Sequence, residues 1–350
     1  MARHIRSIFE DNGHEVHVLA RPVNPKMPVK KRVDFEGPWN IPRLSTCSEW
    51  EPPASEYVAW ARDTEIEVLF CDMNLQFKEI AAVRELGVRT IGRFVWERFS
   101  KGHVASALKA YDVIYSLTRA EQARYKEFGI NSPYLRWGLP PELVAIEPQR
   151  PVDRIDFLFH GGLQGARKPI QTTVDAFKET TSDGIRLILK SQGIRDISER
   201  VEIADDPRIL SIVEDLPTEQ YLKLFANSHV CLCPARWEGL GVHLYEALAL
   251  GMPVISNDIA PINEVVKHGV SGLLCRSNLL RTKPGNGLHI YEPDKDHLRE
   301  CIEELSDPER LLELTESTRR YRDSRPWSNT KSDYLAVALG EKVGSPIGVR

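Results

Sequence analysis

Short β-branched runs alternate with stretches of helical period, twice over, and this constrains the chain more than any other feature. It is the pattern of βα units wound around parallel sheets. In the first half, strands are expected at Glu15 to Leu19, Ile66 to Asp72, Val88 to Val95, Asp112 to Leu117 and Pro133 to Trp137. Between them, Phe77, Ile80, Ala81 and Val83 stand at helical spacing before Gly87, and residues 119 to 128 run to Gly129, a helix stop. Residues 22 to 55 hold Pro22, Pro25, Pro28, Pro38, Pro42, Pro52 and Pro53, and read as loop with at most a short strand near Val33 to Phe35.

Pro140, Pro141, Pro148 and Pro151 mark a linker, after which the alternation restarts. Strands are expected at Ile155 to His160, Ile185 to Lys190, Ile209 to Val213, His229 to Pro234, Pro253 to Asn257 and Gly272 to Cys275. From Asp296 onward the strands stop, and a charged helical tail runs through Cys301, Leu305, Leu311, Leu314 and then Tyr334 to Leu339. The expected class is α/β, with two doubly wound Rossmann-like domains over residues 1–148 and 152–325. Residues 326–350 form a helix and tail that pack back on the first domain. A chain of 350 residues at 42% hydrophobic content can bury two ordinary cores.

Lys and Arg total 46 against 50 Asp and Glu, for a net charge of −4 with both signs spread along the chain. That argues against a nucleic-acid partner and against a polybasic membrane anchor. No apolar run approaches the roughly 20 residues of a transmembrane helix, and a start containing Arg3, His4, Arg6, Glu10 and Asp11 is unlike a signal peptide. The expected setting is cytoplasmic, with Cys47, Cys71, Cys231, Cys233, Cys275 and Cys301 as reduced thiols. The chain opens in a helix, with Ile5, Ile8 and Phe9 on one stripe, where a doubly wound domain would open with its central strand and a glycine-rich turn. From this the natural protein is expected either to begin upstream of Met1 or to be an impaired homologue.

The chemistry concentrates in Trp237-Glu238-Gly239-Leu240-Gly241-Val242-His243-Leu244-Tyr245-Glu246-Ala247-Leu248-Ala249-Leu250-Gly251-Met252-Pro253-Val254-Ile255. A strand end turns on two glycines into a nearly wholly apolar helix stopped by Gly251 and Pro253. Backbone N–H groups from Gly239 to Val242 would point out of the sheet's carboxyl edge, where the helix dipole favours an anion such as a diphosphate. Glu238 stands before that helix and Glu246 more than a turn inside it, roughly 10 Å apart at a rise of about 1.5 Å per residue. That span suits the sugar at one end of a sugar nucleotide and the ribose at the other.

Together with Glu264-Val265-Val266 and Gly269-x-x-Gly272-Leu273-Leu274, this Glu-x7-Glu segment resembles the donor-binding region of family 4 retaining glycosyltransferases, which have the GT-B fold. The similarity is dense over about residues 155 to 276, and Gly13-His14-Glu15-Val16-His17-Val18 resembles the family's first helix-to-strand passage. The resemblance implies that Glu238 contacts the transferred sugar, that Gly239 to Gly241 supply amides to sugar and diphosphate, and that Glu246 holds the ribose. A second match is Phe157-Leu158-Phe159-His160-Gly161-Gly162-Leu163-Gln164-Gly165-Ala166-Arg167-Lys168-Pro169. The family carries an Arg and then a Lys here, both gripping the diphosphate. Lys168 fits the Lys, while Gly162 stands at the Arg position with Arg167 nearby. Cations on the leaving phosphates would serve in place of a metal, so no metal or cofactor is expected.

Plainer readings stand beside these. Asp294-x-Asp296 follows Pro293 and precedes a helical run, which makes it an N-cap rather than a metal pair. His14 and His17 read as a strand edge, and Cys231 and Cys233 as buried packing. His243 reaches the sugar or simply packs. Arg93, Trp96, Glu97 and His103 follow a strand's carboxyl end and either serve an acceptor or pack. The expected reaction moves a hexosyl group from a nucleotide diphosphate sugar to a hydroxyl of a saccharide, lipid-linked or small-molecule acceptor, in the cleft between the two domains. The alternatives are a non-catalytic nucleotide-sugar binder and a sugar-nucleotide epimerase of the same fold.

Overall fold

A computed structural model describes residues 2–22, 40–162, 165–192 and 206–343. The chain divides into two compact units, one running to Arg136 and resuming at Ser328, the other spanning Trp137–Trp327. The crossing points lie at the paired tryptophans rather than in the proline-rich stretch at 148–152. Trp137 and Trp327 meet edge to face at 5.3 Å between ring centroids, and the Leu139 N–H donates to the Arg325 carbonyl at 3.0 Å. The linker prolines thus belong to the second unit, where Pro141 opens a short helix.

In the first unit the elements are α1 (Ala2–Glu10), β1 (Val18–Ala20), β2 (Leu44–Thr46), α2 (Ala54–Asp63), β3 (Val68–Asp72), α3 (Phe77–Arg84), β4 (Arg89–Arg93), α4 (Val104–Ala110), β5 (Val113–Ile114) and α5 (Arg119–Glu127). The strands form two separate parallel sheets, β1-β2 and β3-β4-β5. β2 lies in the stretch read as loop, because three residues carry too little alternation to register. The strand expected at Pro133–Trp137 reduces to one bridge, Ser116 to Tyr134. The strand expected near Val33 to Phe35 lies outside the described residues. The returning helix α13 (Trp327–Leu339) is held by fully buried Asp333, whose carboxylate accepts from the Arg136 backbone N–H at 2.8 Å and from its guanidinium at 2.6 and 2.8 Å.

The second unit runs α6 (Pro141–Val144), β6 (Ile155–Gly162), α7 (Ile170–Lys178), β7 (Ile185–Ser191), β8 (Ile209–Val213), α8 (Thr218–Ala226), β9 (Val230–Leu232), α9 (Val242–Ala249), β10 (Val254–Asn257), α10 (Ile262–Val265), β11 (Gly272–Cys275), β12 (Ser277–Thr282), β13 (His289–Pro293), α11 (Lys295–Ser306) and α12 (Pro308–Tyr321). Six parallel strands lie in the order β11-β10-β9-β6-β7-β8. Both faces of this sheet are covered, so its strands read as continuous apolar runs. Phe157, Phe159, Leu187, Leu189, Val230, Leu232 and Ile255 are buried with Val174 and Phe177 of α7 and Leu298, Ile302 and Leu305 of α11. The β12–β13 hairpin is antiparallel and was not expected from the sequence. Among the described residues, no helix is long and apolar enough to cross a membrane.

Candidate functional site

The chain leaves β6 outward to β7 and β8, then returns to place β9 on the other side of β6. Strand order therefore reverses between β6 and β9. In an open parallel sheet, the crevice outside the carboxyl ends at such a reversal is where ligands bind. Two loops border it here, the one between β6 and α7 and the one between β9 and α9. They are the two segments that the sequence singled out.

The β9–α9 loop is fixed before it reaches Glu238. Asn257, fully buried at the end of β10, accepts the Ala235 N–H and donates to the Ala235 carbonyl, both at 2.9 Å. Arg236 then ties both loops and the hairpin together. Its N–H donates to the Arg167 carbonyl at 2.8 Å, its guanidinium to the Ala166 carbonyl at 2.9 Å and to the Glu292 carboxylate of β13 at 2.5 Å. Glu292 also accepts from the Thr172 hydroxyl on α7 at 2.5 Å. The hairpin thus buttresses the glycine-rich loop.

Glu238 is buried, at 5% exposure. Its Oε1 accepts the N–H of Gly239 at 2.9 Å, and the Arg167 guanidinium lies 3.5 Å from the same oxygen. The carboxylate thus folds back onto its own loop and takes the Gly239 amide, which the resemblance assigns to sugar and diphosphate. The amides of Leu240, Gly241 and Val242 precede or open α9, where a helix has no partners of its own for N–H groups. Gly241 caps α9 in the left-handed region, at φ +75°. A Cβ there would stand 2.7 Å from Leu244 Cδ1 and 3.4 Å from Glu238 Cγ, so only glycine brings the helix this close to the carboxylate. Glu246 is half-buried just over one turn into α9, and burial raises its carboxyl pKa.

On the other loop, Lys168 is 8% exposed, and its buried Nζ meets no hydrogen-bond partner among the described residues. A buried ammonium without an anion costs several kcal/mol. Arg167 is half-buried. Gly162, at the end of β6, is exposed with φ +52° and open space around a would-be Cβ. An arginine there would sit in a conformation that L residues disfavour. Of the remaining candidates, Arg93 is buried at 2% exposure and donates to fully buried Glu121 at 3.2 Å. His103 accepts the Ser100 N–H at 3.2 Å and packs on Phe99. Both are engaged in the core of the first unit. Asp294 caps α11, its carboxylate accepting the His297 N–H at 2.9 Å.

Sequence reasoning did not single out His160, Tyr221, Arg236, Asn257 or Glu292 as site residues. His160 alone left a signal, a polar residue closing the apolar run Phe157-Leu158-Phe159. The others reach the site across 22 to 120 residues of chain.

Residues 154–281 match the family model described as glycosyl transferases group 1. Alpha-maltose-1-phosphate synthase of Mycolicibacterium smegmatis is 33% identical over 126 residues, 35% of this chain and 30% of that protein. The matched stretches span between 22% and 60% of the length of the first curated relatives. Among solved structures, sucrose-phosphate synthase from Thermosynechococcus elongatus superposes with a TM-score of 0.71 at 14% identity, covering 97% of this chain and 92% of that one. HepE of Anabaena, solved in complex with UDP and glucose, gives 0.62 at 14% identity over 85% of both chains. The fold is GT-B.

Proposed function

We propose that the chain is a retaining glycosyltransferase that moves a hexosyl group from a nucleoside diphosphate sugar to an acceptor hydroxyl, without a metal. The observation that carries this reading is Lys168, a buried ammonium with no hydrogen-bond partner among the described residues, on one of the two loops at the strand-order reversal. A diphosphate would supply the anion the ammonium lacks. The family match over residues 154–281 covers both loops.

In this reading Lys168 and Arg167 hold the leaving diphosphate, assisted by the amides of Leu240, Gly241 and Val242 at the start of α9. Gly162 gives the backbone room beside the phosphates. Glu238 meets the transferred sugar and Glu246 accepts the ribose hydroxyls. The transition state carries oxocarbenium character on the sugar and growing negative charge on the diphosphate. Lys168, already buried beside the proposed phosphates, and half-buried Arg167 favour that charge without reorganising at the moment of reaction. Acceptor recognition falls to the first unit.

The test is transfer from a panel of UDP-, GDP- and ADP-hexoses to saccharide and lipid-linked acceptors, with the anomeric configuration of the product read by NMR. Product with the donor's configuration is expected. An inverted product rejects the retaining assignment. Gly162, which offers no cation where the family has one, favours a second reading as a non-catalytic nucleotide-sugar binder. Donor binding with neither transfer nor hydrolysis across the panel would establish that reading instead. An epimerised donor would point to the epimerase.

A further inference from the structure

His160 stands two residues before the end of β6, its ring against α8. Its Nδ1 lies 3.0 Å from the Tyr221 hydroxyl, and the ring meets Phe225 edge-on at 4.4 Å. A hydroxyl donating to Nδ1 leaves the proton of the neutral imidazole on Nε2. That Nε2 is buried and meets no acceptor among the described residues, the same condition as Lys168 Nζ. The His243 ring, in the first turn of α9, stands 5.8 Å from that of His160.

The surroundings are cationic. His160 faces His243, Lys168 and Lys190, and His243 faces Lys168 and Arg167. Of these, Lys190 is engaged by the carbonyls of Ser191 and Glu214 at 2.8 and 2.6 Å. The nearby carboxylates are Glu238, beside Arg167, and Glu246, which lies toward Tyr221. Burial first, then these cations, hold both imidazoles well below their usual range. Two neutral rings and an ammonium thus stand together at the carboxyl ends of β6 and β9, and among the described residues neither Lys168 Nζ nor His160 Nε2 meets a hydrogen-bond partner.

We infer that His160 and His243 are phosphate-binding residues that, with Lys168, clamp the diphosphate of the nucleotide in place of the arginine missing at Gly162. This rests on the donor-site reading above and names the residues that complete it. The consequence is a coupling between nucleotide and protons. In the free protein the rings are neutral near pH 7, and a bound diphosphate, by favouring the imidazolium forms, draws protons in. Affinity therefore falls as pH rises.

The test is calorimetric titration of the wild-type chain with UDP, GDP and ADP, in buffers of different ionisation enthalpy, from about pH 6 to about pH 8. The same titrations on His243→Asn and His160→Asn isolate the rings from the nucleotide's own phosphate ionisation. Asn at 160 keeps an acceptor for Tyr221 but has no Nε2 donor. Expected are proton uptake by the wild type that shrinks in each variant, and affinity for the preferred diphosphate lowered by about tenfold or more in each. Binding of the corresponding nucleoside, which lacks phosphates, should be unchanged. Wild-type binding with no more proton uptake than the variants and equal affinity overturns the histidine assignment while leaving the donor site standing. If none of the three nucleotides binds the wild type, the donor-site reading falls and takes this inference with it.

Discussion

Replacing Gly241 by Ala joins the fold and the proposed chemistry in one residue. At φ +75° an alanine pays about 1–2 kcal/mol for the left-handed conformation alone. Its Cβ would also stand 2.7 Å from Cδ1 and 3.2 Å from Cγ of Leu244. Leu244 is fully buried, so it can move aside only by repacking, at a further 1–3 kcal/mol or so. The sum, about 2–5 kcal/mol, corresponds to a fall of roughly 5–15 °C in the unfolding temperature of a unit this size. Gly162→Ala is the matched control, since φ +52° imposes the backbone cost with nothing near the new methyl among the described residues. It should lose only about 3–6 °C. Scanning calorimetry on both variants reads the difference. Because the added methyl would also stand 3.4 Å from Glu238 Cγ, Gly241→Ala should also weaken nucleotide binding. Equal losses in the two variants, or a Gly241→Ala protein melting within about 2 °C of wild type, would refute the argument that the glycine is required by close approach.

Glu238→Gln should lower turnover by about two orders of magnitude at unchanged melting temperature, since the amide oxygen can still accept the Gly239 N–H; wild-type turnover would reject the role given to this carboxylate. Asn257→Ala strips both partners from buried Ala235 and should cost about 2–4 kcal/mol in urea unfolding, with a loss under about 1 kcal/mol counting against its role as the staple of the loop. Transfer should survive EDTA, and Asp296→Asn should not change it; activity abolished by chelation and restored by manganese or magnesium would reject the metal-free mechanism.

The second unit was legible because its strands are buried on both faces, and an apolar run of strand length between turns leaves little else to be. Phe157 to Phe159 and Val230 to Leu232 show this. The short strand Leu44–Thr46 was not legible, since three residues, two of them exposed, give no period. The hairpin was passed over although Pro284-Gly285-Asn286-Gly287 is a turn signal, because its exposed Leu279 and Leu280 sit on no core face. At the site, the motif located Glu238, Lys168 and α9, yet the carboxylate's burial depends on a bond to the next residue's amide, which no pattern of residue types encodes. Asn257, Arg236 and Glu292 act through contacts that only the folded chain brings together. His160 shows the boundary well: its oddity in an apolar strand could be read, but its partner Tyr221 could not.

In the proposed function Lys168 is buried for the sake of a phosphate. Lys168→Met removes the charge and keeps the stem, so its effect on the protein alone and on the complex should have opposite signs. Without ligand the variant should be as stable as wild type or more so, because an ammonium without a hydrogen-bond partner among the described residues is no longer buried. With the preferred nucleoside diphosphate at about 100 times its wild-type dissociation constant, the wild type should gain about 2.7 kcal/mol and the variant far less. Equilibrium unfolding with and without nucleotide measures both quantities on the same samples. A variant that is destabilised on its own yet gains as much from the nucleotide as the wild type would contradict the account.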